Sequence, residues 1–186
     1  MPVLICMFDE LQRKVLFALA RQAIEERLGL RPQIDPFPEA FLKEPGAPFV
    51  TLKIGEELRG CIGTVEANEP LHDAIVHCAN SAAFRDPRFP PLTQEEYPLI
   101  HLEISVLSPF RPAQSPEEVV PGVHGLMITR GYYRGLLLPQ VATEYDWDRE
   151  TFLSYTCRKA GLPPDAWKDP STKIEVFTAE VFSEND

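Results

Sequence analysis

Nineteen prolines are spread along this chain of 186 residues, about twice the usual share. Each one fixes φ and removes a backbone donor, which implies many fixed loops. Positions 32, 36, 38, 45 and 48 break any regular element between Arg31 and Pro48, leaving a loop with one turn around Glu39 to Leu42. Apolar residues stay interleaved with the prolines throughout, which argues for fixed loops in a compact fold rather than for disorder.

The length suits one substantial core, or one core with a minor lobe. A content of 44% hydrophobic and 25% charged residues is that of a soluble globular protein. No run approaches the roughly 20 apolar residues of a membrane span. Val3 to Phe8 lacks the basic start and the cleavage site of a signal peptide, so a cytoplasmic location away from membranes is expected. Cys6, Cys61, Cys78 and Cys157 have no CxxC spacing, which argues against a disulfide framework and a zinc ribbon and for reduced thiols. A net charge of −10 repels phosphate backbones, so nucleic acid is not an expected partner. GxGxxG and GxxxxGK[ST] loops are absent, and no cofactor is expected.

Asp9 and Gln12 form a capping box ahead of the helical series Leu11, Val15, Leu16, Leu19, Ala23, Ile24 and Leu28, which Gly29 ends. Phe49 to Ile54 reads as a strand, and Gly55-Glu56-Glu57 turns it into a second strand, Leu58 to Thr64. Asn68 or Glu69 caps a helix with Pro70 in its first turn and Leu71, Ile75, Cys78, Ala79 and Ala82 as its buried stripe; Asp73 and His77, four apart, can pair on its surface. Thr93 with Glu96, and Ser115 with Glu118, read as capping boxes of short turns. Ile100 to Leu107 alternates cleanly, with Leu102, Ile104 and Val106 facing inward. Gly125 to Thr129 and Tyr133 to Leu138 form a hairpin, after which Pro139 opens a short helix bearing Gln140. Asp148 caps a helix carrying Phe152, Leu153, Tyr155 and an inert, packed Cys157; Lys173 to Phe182 closes the chain as one long strand. Hairpins with helices between them predict an α+β architecture, a mostly antiparallel sheet flanked by helices.

Within Leu58 to Thr64, alternation puts Arg59, Cys61 and Gly63 on one face, with Arg59 and Cys61 roughly 7 Å apart. Gly60 and Gly63 bracket the thiol, and glycine within a strand marks a bulge or the close approach of a ligand or another backbone.

The run Leu58 to Thr64, LRGCIGT, resembles the signature of the family named after the Alport syndrome, midface hypoplasia and elliptocytosis chromosomal region. Its microbial members are called AmmeMemoRadiSam system protein A. The resemblance continues through Asp86 to Leu92, Leu102 to Leu107, Gly122 to Leu126, Arg134 to Ala142 and Lys159 to Pro163, and covers essentially Asp9 to Phe182. It implies a single domain with a larger lobe built from both chain ends, about 1–60 and 100–186, and a smaller inserted lobe of about 61–99, with the signature near the groove between them. It implies a biochemical function that is unsettled for the family. Microbial members are often encoded beside, or fused to, a Memo-type protein and a radical S-adenosylmethionine enzyme, which implies a joint role in a modification pathway. No feature sets the oligomeric state.

Two readings of the signature follow. In the chemical one, Cys61 is a nucleophile or a covalent or metal-handling anchor, and Arg59 lowers its pKa or holds an anionic substrate. Glu103 or His124 is the base, His101 a spare, and Gln140 donates to an oxyanion; Gly60, Gly63 and Arg88 border the substrate or partner, Arg88 and Phe89 lining a cleft or fixing the chain. In the packing one, Cys61 is a small buried residue, Arg59 pairs with Glu103 across adjacent strands, His124 is a turn residue and the glycines satisfy packing. A metal set of Cys61, His101, His124 and Glu103 has suitable chemistry but no supporting local spacing, and none is assigned. The matching functions are an enzyme component acting with the radical-SAM and Memo-type proteins, and a non-catalytic adaptor or ligand-binding module.

Overall fold

The structure, a computed structural model, describes residues 7–30 and 39–186. In chain order the elements are α1 (Glu10–Arg27), β1 (Ala47–Ile54), β2 (Glu57–Gly63), α2 (Leu71–Phe84), β3 (Ile100–Leu107), β4 (Arg111–Pro112), β5 (Gly125–Arg130), β6 (Tyr133–Leu137), α3 (Pro139–Glu144), α4 (Arg149–Lys159), β7 (Lys173–Phe177) and β8 (Ala179–Ser183). The expected α+β class is observed, with the strands in two sheets of four. The chain divides into two compact units, Met1–Leu107 with Glu180–Asp186, and Ser108–Ala179. The division does not fall at the expected 61–99, because β2 hydrogen-bonds to β1 and α2 packs its buried stripe on the same sheet.

In the first unit the strand order is β2-β1-β3-β8. Val50 and Leu52 of β1, Leu102, Ile104 and Val106 of β3 and Phe182 of β8 turn inward against Leu16, Leu19 and Ile24 of α1 and Leu71, Ile75 and Ala79 of α2. α1 begins as its sequence dictates: the Asp9 carboxylate accepts from the Gln12 N–H at 2.8 Å, and Gln12 accepts from the Asp9 N–H at 3.0 Å. α2 differs at its start. Pro70 is the N-cap and no side chain caps the helix; Asn68 bonds Glu66, and Glu69 reaches His77. The expected Asp73–His77 pair does not form: His77 Nδ1 meets Glu69, and Asp73 bonds His72 at 2.9 Å instead. The turn expected at Glu39 to Leu42 is a 3-10 turn over Ala40–Lys43, and 31–38 lie outside the described residues; at the far end the loop is shorter than expected, since Ala47 and Pro48 already belong to β1, where Pro48 lies opposite Val106 of β3.

In the second unit the order is β4-β7-β5-β6. Leu126, Ile128 and Val176 pack against Phe152, Leu153 and Cys157 of α4, confirming the packed Cys157. The Asp148 carboxylate caps α4 through the Thr151 N–H at 2.8 Å. The Ser115 box does not form as a helix cap: Glu118 accepts from the Gln114 N–H and from Arg111. The expected long final strand is two strands. Lys173–Phe177 pairs with β5 and β4, whereas Ala179–Ser183 joins β3 in the other sheet, and the chain switches at Thr178, bonded through its N–H and C=O to Ser108.

Candidate functional site

β2 is an edge strand, and its pairing with β1 slips by one residue. Gly60 lies opposite Leu52, but Leu58 lies opposite Lys53, so Arg59 is an extra, bulged residue with no partner on β1. Its guanidinium leaves the strand for the loop that follows α2. Nε and Nη2 bind the two Glu96 oxygens at 2.9 Å each, and Nη2 also donates to the Pro90 carbonyl at 3.0 Å. Arg59 is 8% exposed and its Nη1 is buried without a hydrogen-bond partner among the described residues. The Arg59 bond holds the Glu96 carboxyl below its ordinary pKa, against the opposing effect of desolvation.

The same loop closes the edge at Cys61. The Asp86 carboxylate, buried, accepts from the Cys61 N–H at 2.9 Å, and Arg88 donates to the Cys61 carbonyl at 3.3 Å. Asp86 also takes the Arg88 side chain at 2.7 and 3.0 Å and the Arg88 N–H at 3.1 Å. Those Arg88 bonds, aided by the Cys61 N–H, hold the Asp86 carboxyl well below the usual carboxylate range even though burial opposes ionisation. A carboxylate and a guanidinium thus supply the edge with the donor and acceptor that a fifth strand would provide.

The two glycines are accounted for by packing. A Cβ on Gly60 would lie 2.1 Å from the Ala82 carbonyl oxygen of α2, and one on Gly63 would lie 2.2 Å from the Phe49 ring. Glycine lets the helix and the aromatic ring approach the strand this closely.

What remains is the sheet face opposite the helices. Cys61 of β2, Thr51 of β1 and Glu103 of β3 stand in one row across three strands. Leu58, Lys53 and His101 form the row on one side, and Gly63, Phe49 and Ser105 the row on the other. Cys61 is half-buried, and its Sγ accepts a hydrogen bond from Thr51 Oγ1 at 3.1 Å. Glu103 is held by Lys53 Nζ at 3.1 Å.

The model of the AMMECR1 family matches residues 17–182. The chain belongs to the AMMECR1 family. It is similar to a protein of Methanothermobacter thermautotrophicus, 48% identical over 181 residues that cover 92% of this chain and 94% of the relative. A Methanocaldococcus jannaschii protein is 46% identical over 174 residues, covering 89% and 86% of the two chains. The crystal structure of an uncharacterized protein from Pyrococcus horikoshii matches with a TM-score of 0.75 at 43% identity, covering 91% of this chain and 90% of that one.

In this AMMECR1 chain the residues singled out from the sequence separate into groups. Cys61 and Glu103 share a row, with Thr51 between them. Arg59 pairs with Glu96 and not with Glu103: β1 lies between β2 and β3, and the bulge sends Arg59 to the loop. Arg88 fixes the loop through Asp86. His124 and Gln140 belong to the second unit. His124 Nδ1 accepts from the Val120 N–H at 3.1 Å, as a turn residue does, and burial and then the Arg111 charge push its pKa down. Gln140 is exposed at the second position of α3. Among the described residues no group of three or more His, Cys, Asp or Glu side chains is placed to hold a metal ion, so the set of Cys61, His101, His124 and Glu103 is not assembled. No helix among them is long and apolar enough to cross a membrane.

No local spacing marks Asp86, Glu96 and Lys53 as partners of the signature segment or its face. Thr93 and Glu96 were legible as a reciprocal pair, and they do exchange bonds at 3.0 and 3.3 Å. That Glu96 also takes Arg59 depends on contacts across 37 positions of chain, for which local spacing carries no signal.

Proposed function

We propose that this AMMECR1-family chain is a non-catalytic binding subunit, and that the polar face around Cys61, Thr51, Lys53 and Glu103 is the surface that takes its partner. One observation carries this reading: the signature arginine is consumed by Glu96, and Arg88, the cation that reaches the Cys61 carbonyl, is paired with Asp86, which leaves the Cys61 sulfur with a hydroxyl neighbour and no attached base. A thiolate nucleophile needs a cation or a general base within reach of its sulfur. Glu103, the carboxylate in its row, is neutralised by Lys53. A flat, half-buried row of hydroxyl, thiol and paired charges suits recognition of another polar surface. The partners in view are the radical-SAM and Memo-type proteins of the pathway to which the family resemblance points.

The test is co-expression with those two proteins followed by size-exclusion chromatography. Co-elution is expected for the native chain and for Cys61→Ser, and is expected to be lost in Lys53→Glu, which places two carboxylates together on the face. Separate elution of the native chain from both proteins overturns the reading. The chemical alternative is favoured by one observation, that Cys61 is only half-buried whereas Cys78 and Cys157 are buried. It requires an activity of the reconstituted system that Cys61→Ser abolishes while the complex persists.

A further inference from the structure

A ladder of stacked aromatic rings lies in the second unit, independent of the face around Cys61. Tyr145 stacks on Trp147 with centroids 5.0 Å apart and planes 19° from parallel, and Trp147 stacks on Tyr155 at 4.2 Å and 15°. At one end the guanidinium of Arg158 covers Tyr155, 5.2 Å from the ring centroid. The other end is open, and Tyr145 is 65% exposed. The turn that builds this end has a defined cause. Asp146 adopts φ of 52°, a left-handed conformation uncommon for a residue with a Cβ, and the Trp147 N–H returns to the Ala142 carbonyl at 2.9 Å.

The charge flanking Tyr145 along the chain is mostly negative. Glu144, Asp146, Asp148 and Glu150 are all exposed, and the single cation among them, Arg149, directs its Nε to the Val119 carbonyl at 2.7 Å. Asp148 is engaged in capping α4, whereas Glu144, Asp146 and Glu150 have no ion-pair partner among the described residues.

We propose that the open face of Tyr145 is a docking surface for an arginine side chain presented by a partner protein. A guanidinium is planar, lies flat on aromatic faces and pairs with carboxylates, and the segment from Glu144 to Glu150 carries both an exposed ring and exposed carboxylates. Arg158 shows the same contact made by the chain itself at the opposite end of the ladder. The carboxylates and the net charge of −10 favour a basic segment and repel the phosphates of a nucleic acid that would otherwise use an aromatic platform.

A tri-arginine peptide amide, titrated into the full chain while the Trp147 indole N–H is followed by NMR, tests this; Trp167→Phe assigns the indole signal. The Trp147 signal is expected to move with tri-arginine and to move far less with the tri-citrulline analogue. Tyr145→Ala is expected to weaken binding by about fivefold, in line with about 1 kcal/mol for an exposed cation–π contact. Tyr132→Ala, which removes an exposed tyrosine at the β5–β6 turn, is expected to leave binding unchanged. Equal binding of tri-citrulline overturns the proposal, as does undiminished binding by a Tyr145→Ala chain that melts normally. Oligothymidylate binding that depends on Tyr145 also overturns it, in favour of a nucleic-acid platform.

Discussion

Replacing Gly60 by alanine tests whether the signature glycine serves packing or a ligand. The added Cβ would sit 2.1 Å from the Ala82 carbonyl oxygen, 3.1 Å from its carbon and 3.7 Å from its Cα. A carbon–oxygen contact relaxes at about 3.3 Å, so strand and helix must part by roughly 1.2 Å. Both sides of the contact are backbone, one in β2 and one in a buried turn of α2, so no rotamer change relieves it. Overpacking of this kind costs about 1–3 kcal/mol, and rigidity on both sides places it near the upper end. The narrower unfolded ensemble of alanine returns about 0.4–1 kcal/mol, for a net loss of roughly 2 kcal/mol. For a chain of this length that lowers Tm by about 4–8 °C. Differential scanning calorimetry reads the change, with Gly55→Ala as the comparison. Gly55 has φ of 59° and nothing within 4 Å of an added Cβ, so that variant carries only the left-handed strain of about 1 kcal/mol. A Gly60→Ala chain that melts within a degree of the native one, or above Gly55→Ala, refutes the packing account.

Glu96→Ala leaves the buried Arg59 guanidinium without its bidentate acceptor and is expected to destabilise the chain by about 2–3 kcal/mol at pH 7 in chemical denaturation. Because Arg59 lowers the folded-state pKa of Glu96, this contribution is complete above the ordinary glutamate range and fades as pH falls through the folded value. The gap between native and variant should therefore narrow in acid; a gap that widens in acid contradicts the pairing. Iodoacetamide in short pulses, read by mass spectrometry, should label Cys61 well before Cys78 and Cys157, since burial seals both and pushes the Cys78 thiol up to about 11. The His124 imidazole should titrate below the usual 6.5 by NMR, and Arg111→Gln should move its midpoint upward. Its depressed folded pKa means that this histidine withdraws stability as pH falls through the unfolded value near 6.5.

Much of the fold was legible because its causes are local. The Asp9–Gln12 box, the alternation of Ile100 to Leu107, the stripe of α2 and the Asp148 cap each depend on residues a few positions apart, and each appears in place. The site was less legible. Alternation predicted that Arg59 shares a face with Cys61, but a one-residue bulge intervenes, and whether a strand bulges depends on what lies beside it. Here Ala82 presses on Gly60, while Asp86 and Glu96 hold the loop against the edge.

Lys173 to Phe182 shows where the boundary runs. Its residues demanded an extended chain, and an extended chain formed; its division at Thr178 between two sheets depends on which neighbours offer free hydrogen-bonding edges, β5 and β4 on one side and β3 on the other. Backbone conformation, caps and the inward-facing stripe come from nearest-neighbour sterics and hydrogen bonds, and so were determined by the sequence read locally. The partner of each strand, the destination of Arg59 and the surroundings of Cys61 were decided only when segments tens of residues apart met, because a charge or an unpaired amide is satisfied by whatever the packed core brings within about 3 Å.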